Sequence, residues 1–236
     1  PIVAAVLTVG AVIVWRRPVA VFGVLAAALP SWDLTAISGR EYVDEFDMLL
    51  LLSFAVAWVR LSCQGPHGPL PARNARLNMA FGVFVISALV SAFMAWQPWD
   101  IAALRDPDSP LSPWYGLRLF KGVLWAVCAY LLARRQLASG LPVVSAFGVG
   151  LVVGLAYTAG FIFWERAMFP GVWDFAVEYR VAGPVVPMRL GGAYLDAYLI
   201  AAFPFAVVGA LTSKSLTWRA FCALTALASI YAVAVT

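Results

Sequence analysis

The chain has 236 residues, of which 63% are apolar and only 12% are charged, whereas soluble domains are about 45–50% apolar and about 25% charged. A mean hydropathy of +0.88 excludes a water-soluble globular domain, because too little polar surface remains to cover one. The net charge of +4 does not indicate a nucleic-acid partner, because the basic residues are dispersed along the chain. The composition therefore predicts an all-α, polytopic membrane protein.

Eight apolar segments are predicted to cross the bilayer as helices, which satisfy their own backbone hydrogen bonds in lipid. A crossing needs about 20 residues; the fourth, sixth and seventh segments are long, and the first, second, third and fifth are short. We expect them to form a single transmembrane helical domain over residues 1–236. In chain order the segments are Ile2–Trp15, Val19–Trp32, Met48–Val59, Leu77–Trp96, Leu119–Ala133, Val143–Trp164, Ala193–Leu211 and Ala220–Thr236.

The connections between these segments alternate in charge. The odd-numbered connections contain nine basic residues and no acid, namely Arg16, Arg17, Arg60, Arg73, Arg76, Arg134, Arg135, Lys214 and Arg219. Every acid outside a span falls in an even-numbered connection. The positive-inside rule makes the basic connections cytoplasmic. The alternation predicts eight crossings and a longer outer loop, Glu165–Gly192, between spans six and seven.

This outer loop contains the first candidate site. Arg180 and Arg189 precede the seventh span, and Gly191 and Gly192 allow close backbone approach at its start. Arginine binds phosphate oxygens through a planar fork, and a helix N-terminus favours anions. The pattern indicates a receptor for phosphate or pyrophosphate. The alternative is that both arginines snorkel to the interface or pair with nearby acids.

Three further charged residues are candidates. Asp196 is the lone acid within a predicted span, about one turn into the seventh helix, where an unpaired carboxylate is costly. Asp196 would either pair with an arginine and orient a site, or simply be a charge that the helix N-terminus favours. Arg118 and Lys121 share a face at the outer start of the fifth span. They would either bind a second anionic group or anchor the helix at the headgroups.

Several other residues have patterns typical of a structural role. Glu165 and Arg166 end the sixth span in a pattern that fits an interface ion pair, and Pro204 is expected to kink the seventh helix and shape a cavity wall. The single histidine, His67, lies in a basic loop, and the three cysteines have neither metal-ligand nor disulfide spacing. We therefore expect no metal and no cofactor.

Several short motifs carry a family resemblance. They are Asp47-Met48-Leu49-Leu50, Arg118-Leu119-Phe120-Lys121-Gly122, Trp164-Glu165-Arg166, Phe169-Pro170-Gly171, Tyr179-Arg180-Val181-Ala182-Gly183, and Gly191-Gly192-Ala193-Tyr194-Leu195-Asp196-Ala197-Tyr198-Leu199. Over about the last three-quarters of the chain, the sequence resembles the O-antigen ligase and O-antigen polymerase-like superfamily of bacterial membrane glycosyltransferases. It departs from that pattern at Met188-Arg189-Leu190.

The resemblance implies a protein of about a dozen helices in the bacterial inner membrane. It implies transfer or polymerisation of a glycan carried on undecaprenyl pyrophosphate, at the periplasmic face, without nucleotide sugar or metal. Arg180 falls at the family's pyrophosphate-binding arginine, so the resemblance makes it a catalytic residue. Because the chain begins without Met and ends within an apolar run, we expect the N-terminal part of a larger protein whose later loop supplies a histidine.

Two other classes of function are also compatible with the sequence. A polytopic transporter or lipid-linked glycan flippase would also line a pathway with intramembrane charges, although the sequence shows no convincing internal repeat of the kind common in transporters. A non-catalytic scaffold subunit would use the same charges as interface anchors. Transfer chemistry would further require a general base, for which Asp196 and Glu178 are the candidates.

Overall fold

The structure is a computed structural model that describes residues 2–30, 45–63, 75–95, 113–175, 181 and 193–236. Within these ranges it contains eight helices and no strand, which confirms the all-α class. The helices are α1 (Ile2–Arg16), α2 (Ala20–Ala28), α3 (Glu45–Cys63), α4 (Ala75–Ala95), α5 (Pro113–Ala138), α6 (Val143–Met168), α7 (Ala193–Thr212) and α8 (Leu216–Val235).

Among the described residues, four helices are long and apolar enough to cross a membrane: Glu45–Cys63, Val143–Met168, Leu195–Thr212 and Leu216–Val235. Two shorter apolar helices are Val3–Arg16 and Asn78–Met94. The predicted second span is described over residues 19–30, of which nine form helix α2, and the end of that span lies outside the described residues. The count of eight crossings therefore stays a prediction.

Two helices extend well beyond their apolar segments. Helix α5 has 26 residues, although its apolar core is only Leu119–Ala133. Helix α3 begins at Glu45, three residues before the predicted segment Met48–Val59. Glu45 and Asp47 therefore lie in its first turn, and both are buried. Acidic side chains are favourable in a first helical turn because they face the positive end of the helix dipole. Hydropathy alone does not detect such polar helix ends.

The chain divides into two compact units. One consists of Pro1–Ala57 together with Pro142–Thr236, and the other is Trp58–Leu141. In the second unit α4 packs against α5, with the rings of Phe81 and Tyr130 4.5 Å apart between centroids. The Tyr130 hydroxyl donates a hydrogen bond to the side-chain oxygen of Asn78, which joins the two helices of this unit.

Helix α6 is central to the first unit and packs against α2, α7 and α8. Helix α2 lies parallel to α6, because Gly23 lies against Ala146 and Gly150, and Ala27 lies against Gly154 further along both helices. The approach is so close that a Cβ atom on Gly150 would lie 2.2 Å from the carbonyl oxygen of Gly23. Small residues at four-residue spacing bring membrane helices together in this way.

Helix α7 lies antiparallel to α6. Phe205, near the end of α7, contacts Gly148, near the start of α6. Earlier in α7, the Tyr198 hydroxyl is 3.3 Å from the carbonyl oxygen of Leu151 and 3.1 Å from that of Ala26, within hydrogen-bond reach of both. The tyrosine thereby joins α7 to the crossing of α2 and α6.

Candidate functional site

Among the described residues of the first unit, the exposed basic side chains lie at one end. Helix α8 lies antiparallel to α7, since Gly209 contacts Cys222 and Asp196 is hydrogen-bonded to Thr236. With the helix directions given above, four exposed basic residues share one end, namely Arg16, Arg17, Lys214 and Arg219. The opposite end contains the acids Glu165, Asp174 and Asp196. We call this second end the acidic end.

Asp196 lies in the first turn of α7, as the sequence analysis predicted, and its side chain is half-buried. Its Oδ1 atom accepts a hydrogen bond from the hydroxyl of Thr236, which follows the last residue of α8. The carboxylate is therefore oriented by a neighbouring helix, and the N-terminal dipole of its own helix favours its charge.

Arg166 is the most buried charged residue of the acidic end, with 2% of its surface exposed. Its Nη2 atom donates to the backbone oxygen of Asp174, and its own carbonyl accepts from the Gly171 amide at 2.8 Å. Gly171 has a φ of 104°, a conformation that favours glycine. Arg166 thus fixes the turn after α6 against the end of that helix.

Tyr231 of α8 holds the same turn from its other side. Its hydroxyl donates to the backbone oxygen of Val172 at 2.8 Å. Its ring packs edge-on against Phe163 and Trp173, with centroids 5.8 and 6.2 Å away. The start of the long loop between α6 and α7 is therefore attached to both α6 and α8.

The remaining residues of the predicted phosphate receptor lie outside the described residues: Arg180, Arg189, Gly191 and Gly192, together with Glu178. Val181 is the one described residue between Phe175 and Ala193. It is completely buried, in a core cluster that includes Leu195 and Ile162. At this point the loop enters the core of the first unit.

Arg118 and Lys121 lie on α5 in the second unit. Their spacing of three places them on one helix face, and the Lys121 side chain is half-buried; the side chain of Arg118 lies outside the described ones. Asp196, Arg166 and the turn after α6 share one end of the first unit, whereas Arg118 and Lys121 belong to the second unit.

Sequence reasoning missed the role of Arg166, because a charged pair at the end of an apolar span is typical of an interface anchor. Both Glu165 and Arg166 are instead buried, at 4% and 2% exposure. One signal was available: Pro170-Gly171 directly after the span predicts a tight turn back onto the helix end. An arginine one helical turn before such a turn can reach its carbonyl groups.

Within the described ranges, no group of three or more histidine, cysteine or acidic residues is arranged to hold a metal ion. The chemistry that these residues do supply is a positioned carboxylate, a buried guanidinium and an ordered turn beside a helix N-terminus. No family model matches the chain, and neither the characterised proteins nor the solved structures compared with it gave a match.

Proposed function

We propose that the chain belongs to a multi-pass protein of the bacterial inner membrane, with about eight spans in these residues. Two observations support this: four of the described helices have the length and apolarity to span a bilayer, and the described part of the first unit carries its exposed basic residues at one end. The positive-inside rule puts that end in the cytoplasm. The acidic end and the long loop after α6 then face the periplasm.

In this proposal the protein is a glycosyltransferase that transfers or polymerises a glycan from undecaprenyl pyrophosphate. The observation that carries it is the complete burial of Val181, which directly follows Arg180 in the motif that resembles the O-antigen ligase superfamily. A loop anchored in the core beside an arginine is suited to hold a guanidinium in a fixed position. Asp196 belongs to the same unit.

The reaction would proceed by attack of an acceptor hydroxyl oxygen on the anomeric carbon of the donor sugar. The bond from that carbon to the pyrophosphate oxygen breaks, and negative charge develops on the departing lipid pyrophosphate. Arg180 and Arg189, with backbone N–H groups at Gly191 and Gly192, are assigned to stabilise that charge. Asp196 is assigned to accept the proton of the acceptor hydroxyl, and Arg118 and Lys121 to bind a second anionic group.

The decisive experiment replaces Arg180 by Ala and by Lys in the full-length protein. Transfer from a purified lipid-linked oligosaccharide is expected to fall by at least about 100-fold in both variants, since loss of one transition-state donor costs about that much. Lysine keeps the charge but lacks the planar fork. The matched control is Arg17→Ala, which removes an exposed arginine at the opposite end and is expected to keep normal activity.

Normal transfer by both Arg180 variants, at unchanged membrane levels, would remove Arg180 from the mechanism. A different result would favour the transporter or flippase alternative: movement of intact donor between leaflets with no transfer of glycan. Measuring donor consumption and donor translocation in the same proteoliposomes separates these outcomes.

A further inference from the structure

An apolar groove opens between α6, α7 and α8 near the basic end of the first unit. It has a volume of about 420 Å³, and its lining includes Val149, Val152, Pro204, Phe205 and Trp218. Pro204 therefore forms part of a cavity wall, and α7 remains helical on both sides of this proline. Two other lining residues, Val144 and Val208, are 71% and 56% exposed, so the groove is open on the side that would meet lipid.

Two cations lie at the basic end of the first unit, where this groove opens. The Arg219 Nε atom donates to the backbone oxygen of Ala210 at 3.0 Å, which holds the guanidinium at the last turn of α7, beside the lining residue Gly209. Lys214 lies in the short connection between α7 and α8, and both basic side chains are exposed. The sequence contains no acidic residue after Asp196, so α8 and the rest of α7 supply no carboxylate to neutralise them.

We propose that the groove binds one acyl chain of an anionic phospholipid, whose phosphate lies against Arg219 and Lys214. The apolar lining suits a hydrocarbon chain. The two cations select a headgroup with net negative charge over a zwitterionic one, and arginine matches phosphate oxygens through its planar fork. Trp218 lines the groove beside Arg219, at the depth where an indole ring meets both hydrocarbon and water.

This lipid site lies at the opposite end of the first unit from Asp196, so it is separate from the donor site proposed above. Its ligand is a bilayer phospholipid, and its occupancy depends on charge at the basic end. It would stabilise the contact between α7 and α8, because the headgroup would join Lys214 in their connection to Arg219 of α8, which is itself bonded to Ala210 of α7.

The test uses the full chain purified in a neutral detergent. Native mass spectrometry measures binding of phosphatidylglycerol and of phosphatidylcholine with identical acyl chains. The wild type is expected to prefer phosphatidylglycerol. The double variant Lys214→Gln/Arg219→Gln is expected to lose about fivefold in affinity for each cation removed, with binding of phosphatidylcholine unchanged.

The matched control is Arg16→Gln/Arg17→Gln, which removes two exposed cations from the same end but away from the groove lining. This control variant is expected to keep the wild-type preference for phosphatidylglycerol over phosphatidylcholine. Ser145→Phe, at an exposed lining position, fills the groove and is expected to weaken binding of both lipids. Equal binding of the two lipids by the wild type, or an equal loss in the Arg16/Arg17 control, overturns the proposal.

Lys214→Gln alone guards against a folding artefact, because it leaves the bond from Arg219 to Ala210 intact. This single variant is expected to lose about fivefold in affinity for phosphatidylglycerol at an unchanged melting temperature. Unchanged affinity in this variant also overturns the proposal.

Discussion

Two sides of α6, the one that meets α2 and an exposed one, differ in side-chain size and hardly at all in polarity. On the side that meets α2, Gly150 and Gly154 bring the two backbones into direct contact. On a separate side, which meets neither α2 nor the core formed with α7 and α8, large apolar residues such as Val153 and Trp164 are 41% and 49% exposed. Lipid tails are as apolar as these side chains, so burial of apolar area does not distinguish the sides. Close approach of the backbones distinguishes the side that meets α2 from the exposed side.

The largest loss of stability is expected from Gly150→Leu, on the side of α6 that meets α2. A Cβ at this position would lie 2.2 Å from the Gly23 carbonyl oxygen, and backbone cannot move aside as a flexible side chain can. We expect a loss of about 3 kcal/mol in the free energy of unfolding, measured by titration with sodium dodecyl sulfate. The matched control is Gly160→Leu on the same helix, where a Cβ meets nothing within 4 Å; a similar loss there would refute the proposed role of the crossing.

A smaller effect is expected from Gly154→Ala. The new Cβ would lie 2.1 Å from the Tyr198 hydroxyl and 3.0 Å from the Ala27 carbonyl oxygen, so one of its two obstacles is the end of a side chain. We expect a loss of about 2 kcal/mol.

A double-mutant cycle sharpens this prediction. Tyr198→Phe alone removes a hydroxyl that bonds backbone carbonyl groups and is expected to cost about 1 kcal/mol. In the double variant the hydroxyl that obstructs the new methyl group is gone, so the combined loss is expected to be less than the sum of the single losses. Strict additivity would show that the two groups do not compete for the same space.

The smallest effect is expected on the outward side. Val153→Ala shortens a side chain that is 41% exposed and is expected to change the free energy of unfolding by less than about 0.5 kcal/mol. The same titration measures it. A loss comparable to that of Gly150→Leu would mean that this side is also a packed interface.

The sequence predicted the helices better than their contacts. Continuous apolar runs correctly indicated helices, and the position of Asp196 in the first turn of α7 followed from the preceding Gly-Gly pair. The burial of Glu45 could not be predicted, because the cost of burying a charge depends on partners supplied by other segments. That of Arg166 was indicated only by the turn that Pro170-Gly171 predicts after its helix. The contact between α2 and α6 could not be predicted either, because neither Gly23 nor Gly150 shows in the sequence which helix it will contact.

The parallel contact of α2 with α6 has a consequence for biosynthesis. Gly23 emerges from the ribosome long before Gly150, and at about 5–20 residues per second the interval is on the order of ten seconds. Throughout that time the glycine face of α2 has no partner from α6. A nine-residue helix must wait within the translocon or its lipid surroundings until the later helix arrives. Assembly of this protein is therefore expected to be limited by the order of translation, and premature release of α2 would be its most vulnerable step.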